Sequence, residues 1–156
     1  MSECAVKDDY ATLTISRVFD ADIETVFRAW TDPDILAKWF APEGVTTSIK
    51  KVELETGGKY DFILNAPEGE VRHHGEYVLI EPPEKLVFTW VLDSDNQACT
   101  GSTSGITDTL VTVDFRRVGD ATEIVLTHEQ LPDRKSCEGH QFGWTGCLDS
   151  LAKLLA

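Results

Sequence analysis

Basic residues are scarce in this sequence. Lys and Arg number 14 against 27 Asp and Glu, a formal net charge of −13. Phosphate binding rests on neutralisation by Lys and Arg, so the balance argues against a nucleic-acid partner. An anionic membrane surface repels the chain on average. The basic pairs Lys50–Lys51, Arg116–Arg117 and Arg134–Lys135 are too short to reverse either point. No apolar run approaches the roughly 18 residues of a membrane-spanning helix. The first nine residues, Met1-Ser-Glu-Cys-Ala-Val-Lys-Asp-Asp9, lack the basic start and apolar stretch of a secretory leader, so a cytoplasmic location is expected. Internal repeats and low-complexity tracts are absent. So are a dinucleotide fingerprint and a phosphate loop, and no cofactor is expected. Gly101-Ser-Thr-Ser-Gly105 has Thr103 where a nucleophile elbow needs serine, and it sits in a polar loop.

The four cysteines, Cys4, Cys99, Cys137 and Cys147, contain no Cys-x-x-Cys pair. Cys137 and Cys147 fall on one helix about 15 Å apart. A disulfide needs Cα atoms within about 7 Å. All four therefore read as reduced thiols, with Cys147 in the core and Cys4 and Cys99 exposed. The histidines His73, His74, His128 and His140 show neither H-x-x-x-H nor H-E-x-x-H spacing, so no metal site is expected.

What is present suits one globular domain. The chain has 156 residues, 42% hydrophobic and 26% charged. Residues 1–9 are polar and read as a flexible tail, with a single domain over 10–156. Leu13, Ile15 and Phe19 alternate with polar residues, which predicts a strand over 10–19. Asp22 caps a short helix with Ile23, Val26, Phe27 and Trp30 on one face. Asp32 caps a second, with Pro33 at its first position and Ile35, Leu36 and Trp39 on its apolar stripe, stopped by Pro42 and Gly44. Six strands follow: about 45–54, one holding Tyr60, Phe62 and Leu64, 71–80, one holding Leu86, Phe88, Trp90 and Leu92, one holding Val111, Val113 and Phe115, and one holding Ile124, Leu126 and His128. Turns fall at Asn65–Gly69, Glu81–Glu84 and Gly119–Asp120, and 93–107 reads as a long polar loop. A helix over about 133–155 carries Trp144, Cys147, Leu148, Leu151, Leu154 and Leu155. Gly139, Gly143 and Gly146 lie beside that stripe. Their helix penalty, up to about 1 kcal/mol each, predicts close approach of another element. The class is α+β: an antiparallel sheet of about seven strands around a long C-terminal helix.

This order resembles the helix-grip fold of the START-like, birch-pollen-allergen-like superfamily (SRPBCC), and within it the branch related to the C-terminal domain of the activator of heat-shock-protein ATPase. The match is carried by Arg17–Ala21, Val26–Asp34, Lys38–Gly44, Gly57–Gly58, Gly75-Glu-Tyr77, Pro82–Trp90, Thr112–Phe115, Leu126-Thr-His128 and Gly143–Trp144 followed by Leu148 and Leu151. The resemblance spans about residues 10–156. It implies a curved sheet gripping the long helix, with a cavity between them. Superfamily members bind lipids, steroids and polyketides, some cyclise substrates, and some regulate a chaperone in stress responses.

A small hydrophobic or aromatic ligand is the expected partner. The candidate ligand-binding residues are Trp30, Trp39, Tyr60, Phe62, Phe88, Trp90, Phe115 and Trp144, with Glu76, His128 and His140 as polar groups. Pockets combine apolar walls with a few placed polar atoms. Glu76 shares strand parity with His74, Val78 and Ile80, which predicts that it points inward. Adjacent strand residues face opposite ways, so only one of His73 and His74 is inward. The alternatives are a chaperone-ATPase regulator acting through its surface, and a cyclase or hydrolase using an inward pair such as His140 with Glu76. A homodimer is compatible with the sequence, but no residue pattern fixes its interface.

Overall fold

The structure is a computed structural model that describes residues 2–7, 10–40, 46–66, 69–93, 109–131 and 134–155. The expectations placed on Pro42, Gly44, Cys99, the Gly101–Gly105 motif, most of the 93–107 loop and Asp133 lie outside the described residues.

The chain enters as β1 (Ser2–Lys7) and β2 (Tyr10–Phe19), then crosses through two short helices, α1 (Ile23–Thr31) and α2 (Pro33–Trp39). It continues as β3 (Thr46–Val52), β4 (Lys59–Ala66), β5 (Gly69–Glu81), β6 (Lys85–Asp93), β7 (Thr109–Val118) and β8 (Ala121–Leu131), and ends in α3 (Arg134–Leu155). The strand order is β1-β2-β8-β7-β6-β5-β4-β3, and every neighbouring pair is antiparallel. Strands β3 to β8 form a meander. The two short helices carry the chain from β2 to the opposite edge of the sheet.

Local chemistry sets the helix boundaries. The Asp22 carboxylate accepts the Thr25 N–H at 2.7 Å at the start of α1. Asp32 closes one helix and opens the next: its N–H donates to the Arg28 carbonyl at 2.8 Å, and its Oδ1 accepts the Asp34 N–H at 2.9 Å. Pro33 follows at the first helical position, where no N–H is needed. On α3 the buried set Cys137, His140, Trp144, Cys147, Leu148 and Leu151 recurs at three- and four-residue steps. Alternation does the same for the strands: Val111, Val113 and Phe115 on β7 and Ile124, Leu126 and His128 on β8 are buried against the helices.

Three expectations are corrected here. Among the described residues the sheet has eight strands, because residues 2–7, read as a tail, form β1 paired with β2 from Ser2↔Ile15 to Lys7↔Tyr10. The alternation rule missed this edge strand because, of its described side chains, Glu3, Ala5 and Val6 are exposed and Cys4 alone is half-buried. Second, Cys4 and Cys137 are joined in a disulfide, with Cα atoms 6.1 Å apart, so these two are not reduced thiols. The pairing depends on β1 lying beside α3, a contact between chain ends that spacing does not reveal. Cys147 is free and buried, as expected. Third, a Cβ built on Gly143 meets no atom within 4 Å, so close packing does not explain that glycine. The glycine side of α3 turns outward there, with Gly139 exposed.

Gly75 is different. A Cβ there would lie 2.1 Å from the Thr89 carbonyl oxygen and 2.8 Å from the Tyr60 ring. Glycine lets Tyr60 lie across β5, and the Tyr60 hydroxyl donates to that same carbonyl. Gly75 therefore shapes the aromatic interior.

Candidate functional site

The aromatic residues converge as one cluster between the helices and the sheet. Trp90, on β6, is its hub. Its ring lies 4.9 Å from Trp144 of α3, 4.6 Å from His73 of β5, 5.8 Å from His128 of β8 and 5.8 Å from Phe40. Trp30 of α1 stacks on Trp144 at 5.9 Å and meets Trp39 of α2 edge-on at 4.9 Å. Such offset and edge-to-face pairs are the favoured aromatic geometries. Tyr60, Phe62 and Phe88 continue the cluster across β4 and β6, and Phe115 closes it beneath Trp30 and Phe27. Ten of the eleven expected site residues are buried here.

Glu76 is the exception. It is exposed on the outer face of β5, while His73 and Tyr77 are buried. The register shift that moves the strand's phase falls between Tyr77 and Leu79, after Glu76. Ile80 lies beyond that shift, so sharing its parity is no guide to where Glu76 points. The His140–Glu76 acid/base pair is therefore not assembled. The same pattern makes His73 the inward member of its pair.

His128 is fully buried and both its ring nitrogens are used. The Trp144 indole N–H donates to Nδ1 at 3.2 Å, and Nε2 lies 2.7 Å from the Thr109 hydroxyl. Thr109 in turn donates to the Trp90 carbonyl at 2.9 Å. These bonds fix one neutral tautomer, with the proton on Nε2 donated to Thr109. Burial holds its pKa well below the ordinary value, helped by His140 and His73. His128 thus braces α3 and β7 against β8, and has no lone pair left for a guest. His140 donates Nδ1–H to the Ser136 carbonyl at 2.8 Å. Burial lowers its pKa, against the opposing effect of that bond. Burial drives His73 to about 3, with His140 and His74 adding to the effect. All three inward histidines are neutral at physiological pH. Burial also raises Tyr60 and Tyr77, which stay protonated.

A void of about 20 Å³, measured as room for the centre of a water-sized sphere, remains inside this cluster. Trp30, Leu36 and Phe40 wall it on the helix side, and Tyr60, Phe62, Tyr77, Leu86, Phe88 and Trp90 on the sheet side. No residue of α3 lines it. The space expected beneath the long helix is instead filled by Trp144, Leu148 and Leu151, all buried. The opening is displaced toward α1, α2 and the β4–β6 half of the sheet. Phe40, Leu36, Tyr77 and Leu86 were not among the site residues expected from sequence. Tyr77 carried a signal, since it follows Gly75 on the inward phase of its strand; Phe40 carried none.

Among the described residues, four buried nitrogens in this region have no partner: Trp30 Nε1, Trp90 Nε1, His73 Nδ1 and His140 Nε2. By contrast, Trp39 donates its indole N–H to the Ala29 carbonyl at 2.8 Å and Trp144 donates to His128. A second concavity, about 470 Å³, lies on the surface between β2, β8 and α3. It is lined by Ile15 to Val18, Glu123, Thr145 and Leu148, and the Arg17–Asp149 ion pair joins β2 to α3 beside it. Among the described residues no group of three His, Cys, Asp or Glu side chains is placed to hold a metal ion. No helix among them is long and apolar enough to cross a membrane.

Comparison with known proteins gives the chain its relatives. Residues 20–156 match the family model described as activator of Hsp90 ATPase homolog 1-like protein. No curated protein matches in sequence. A crystal structure of a Chromobacterium violaceum protein is similar, with 27% identity and a TM-score of 0.79, covering 92% of this chain and 96% of that one. The AHSA1 protein of Silicibacter pomeroyi shares 24% identity and a TM-score of 0.77, covering 92% and 96%. The CalU16 protein of Micromonospora echinospora shares 21% identity and a TM-score of 0.69, covering 100% of this chain and 87% of that one. These last two likenesses speak to the fold alone.

Proposed function

The chain belongs to the activator of Hsp90 ATPase homolog 1-like family, and from that premise we propose that it binds a small hydrophobic or aromatic molecule inside the aromatic cluster. One observation carries this reading: the interior void is walled mostly by aromatic rings, and two of the tryptophans that line it, Trp30 and Trp90, carry buried indole N–H groups with no partner among the described residues. Buried polar groups are normally bonded, and one left unmet costs about 1–3 kcal/mol. A core built only to be packed has no use for them. A water fits the space of about 20 Å³ as it stands. A larger guest enters by displacing Phe40, which follows α2 and touches Phe62, His73, Trp90 and Trp144.

The test is the mass of the natively purified protein before and after denaturation. A bound molecule appears as a difference and is then identified by extraction. An unliganded native mass, together with tryptophan fluorescence that no aromatic compound alters, would sink the reading.

A second reading, regulation of a chaperone ATPase through the surface, is favoured by the family's description and by Phe142. That side chain is 81% exposed on α3. Its test is ATPase stimulation by the wild-type protein, lost in Phe142→Ala. The cytoplasm is proposed as its setting, and the Cys4–Cys137 bond tests this. Disulfides are rare in reducing cytosol. Thiol alkylation of protein taken directly from cells then finds these cysteines free in a reducing compartment and bonded in an oxidising one.

A further inference from the structure

The two sulfurs of the Cys4–Cys137 bond sit in unequal places. Cys4 is half-buried on β1, and Cys137 is fully buried near the start of α3. Thiol–disulfide exchange begins when a thiolate reaches one of the two sulfurs, and access decides which. Solvent meets this bond from the Cys4 side. The neighbour of the Cys4 sulfur is polar there: Gln141 Oε1, on a half-buried side chain, lies 3.8 Å away. The element that carries Cys4 is also easily moved. β1 is an edge strand paired on one side, and its side chains Glu3, Ala5 and Val6 are exposed.

Cys137 suits the opposite role, that of the sulfur that departs. It is the fourth residue of α3, whose first turn holds Arg134 and Lys135 and no acidic residue. A helix N-terminus and nearby cations stabilise a thiolate, and a more acidic thiol leaves faster. Burial disfavours the same thiolate and so favours its return to Cys4. Cys147 takes no part. Burial pushes its thiol up to about 12. It also lies about 15 Å from Cys137 along α3, beyond the roughly 7 Å reach of a disulfide.

We propose that Cys4 is a thiolation site, where a low-molecular-weight thiol forms a mixed disulfide and frees β1 from α3. The incoming thiolate bonds to Cys4 Sγ as the Cys4–Cys137 bond breaks, and the electron pair of that bond leaves on Cys137 Sγ. A second molecule of the thiol attacks the sulfur of the first. The two depart joined as a disulfide, the electron pair stays on Cys4, and both cysteines are then reduced. In the reverse direction the Cys137 thiolate attacks Cys4 Sγ, expels the small thiol and restores the bond. The thiol–disulfide balance of the surroundings thereby sets whether β1 is tied down.

The experiment uses the full chain in its oxidised form and reduced glutathione as the probe. Samples are trapped with N-ethylmaleimide in acidic denaturant, and peptide mass mapping locates the tripeptide adduct. The adduct should stand on Cys4, with Cys137 alkylated and no adduct on Cys147. In the other direction, the reduced chain is given oxidised glutathione. The wild type should pass through the Cys4 adduct to the closed bond, whereas Cys137→Ser should accumulate that adduct. An adduct on Cys137 in place of Cys4 reverses the assignment and overturns the proposal. So does a bond that opens no faster than the chain unfolds globally, read from hydrogen exchange of the β7–β8 ladder, because the bond is then structural alone. If Cys4 and Cys137 are both alkylated before any thiol is added, there is no bond to exchange and the proposal fails.

Discussion

Trp30 and Trp144 stack on each other at 5.9 Å, yet their nitrogens have opposite situations. Trp144 donates to His128 Nδ1, while Trp30 Nε1 has no partner. Replacing either by Phe removes similar volume, but only Trp144→Phe strands a buried imidazole nitrogen. Trp144→Phe should therefore be the more destabilising by about 1–3 kcal/mol, read as the difference in free energy of denaturant unfolding. Equal losses would mean that the bond to His128 contributes nothing. At this scale much was legible. The inward phase of His128 follows from its parity with Ile124 and Leu126. That its nitrogens are already used was not legible, because Thr109 and Trp144 arrive from other elements. Glu76 shows the same limit from the other side: parity counted across a register shift assigns it the wrong face.

Among the elements, β1 has the least apolar anchorage. Of its described side chains only Cys4 packs against the core, through the bond to Cys137 on α3. Joining residues 133 apart in sequence closes a loop of nearly the whole chain. Constraining so long a loop in the unfolded state is worth roughly 2–5 kcal/mol. Reduction, or the Cys4→Ala variant, should lower stability by an amount in that range. Hydrogen exchange should show the β1 amides losing the most protection, with the β7–β8 ladder losing only what the fall in global stability accounts for. Equal loss across β1 and the ladder would mean that the disulfide does not hold β1 locally. The short helices show the reverse case. Asp22, Asp32 and Pro33 specify their boundaries by local chemistry, and the structure places the caps where the sequence does.

For the molecule as a whole, the three inward histidines tie stability to pH. They come from β5, β8 and α3 and meet around Trp90 and Trp144. Each has a folded-state pKa below the unfolded value near 6.5, and that of His73 falls to about 3. The unfolded chain therefore binds more protons than the folded one below pH 6.5. Stability is fully present above that value and is lost as pH falls toward the folded pKa. The slope approaches about 1.4 kcal/mol per pH unit for a histidine such as His73, whose folded pKa lies well below the unfolded one. Thermal melts from pH 7 to pH 4 should show a steep decline starting near 6.5, reduced in His73→Phe. A melting temperature flat down to pH 5 would show that these imidazoles are not buried as neutral groups.

Alternation, helical spacing and capping residues determined the α+β class, the inward aromatic set and, among the described residues, seven of the eight strands and all three helices. These are local properties, written in residues a few positions apart. Tertiary structure decided what depends on distant partners. It paired Cys4 with Cys137, filled the space under the long helix with Trp144, Leu148 and Leu151, and moved the remaining void toward Phe40 and the short helices. It also left Trp30 and Trp90 as the indoles with an unmet donor. Periodicity specifies which face of an element is buried. Only the packing of several faces together specifies whether a buried nitrogen finds an acceptor.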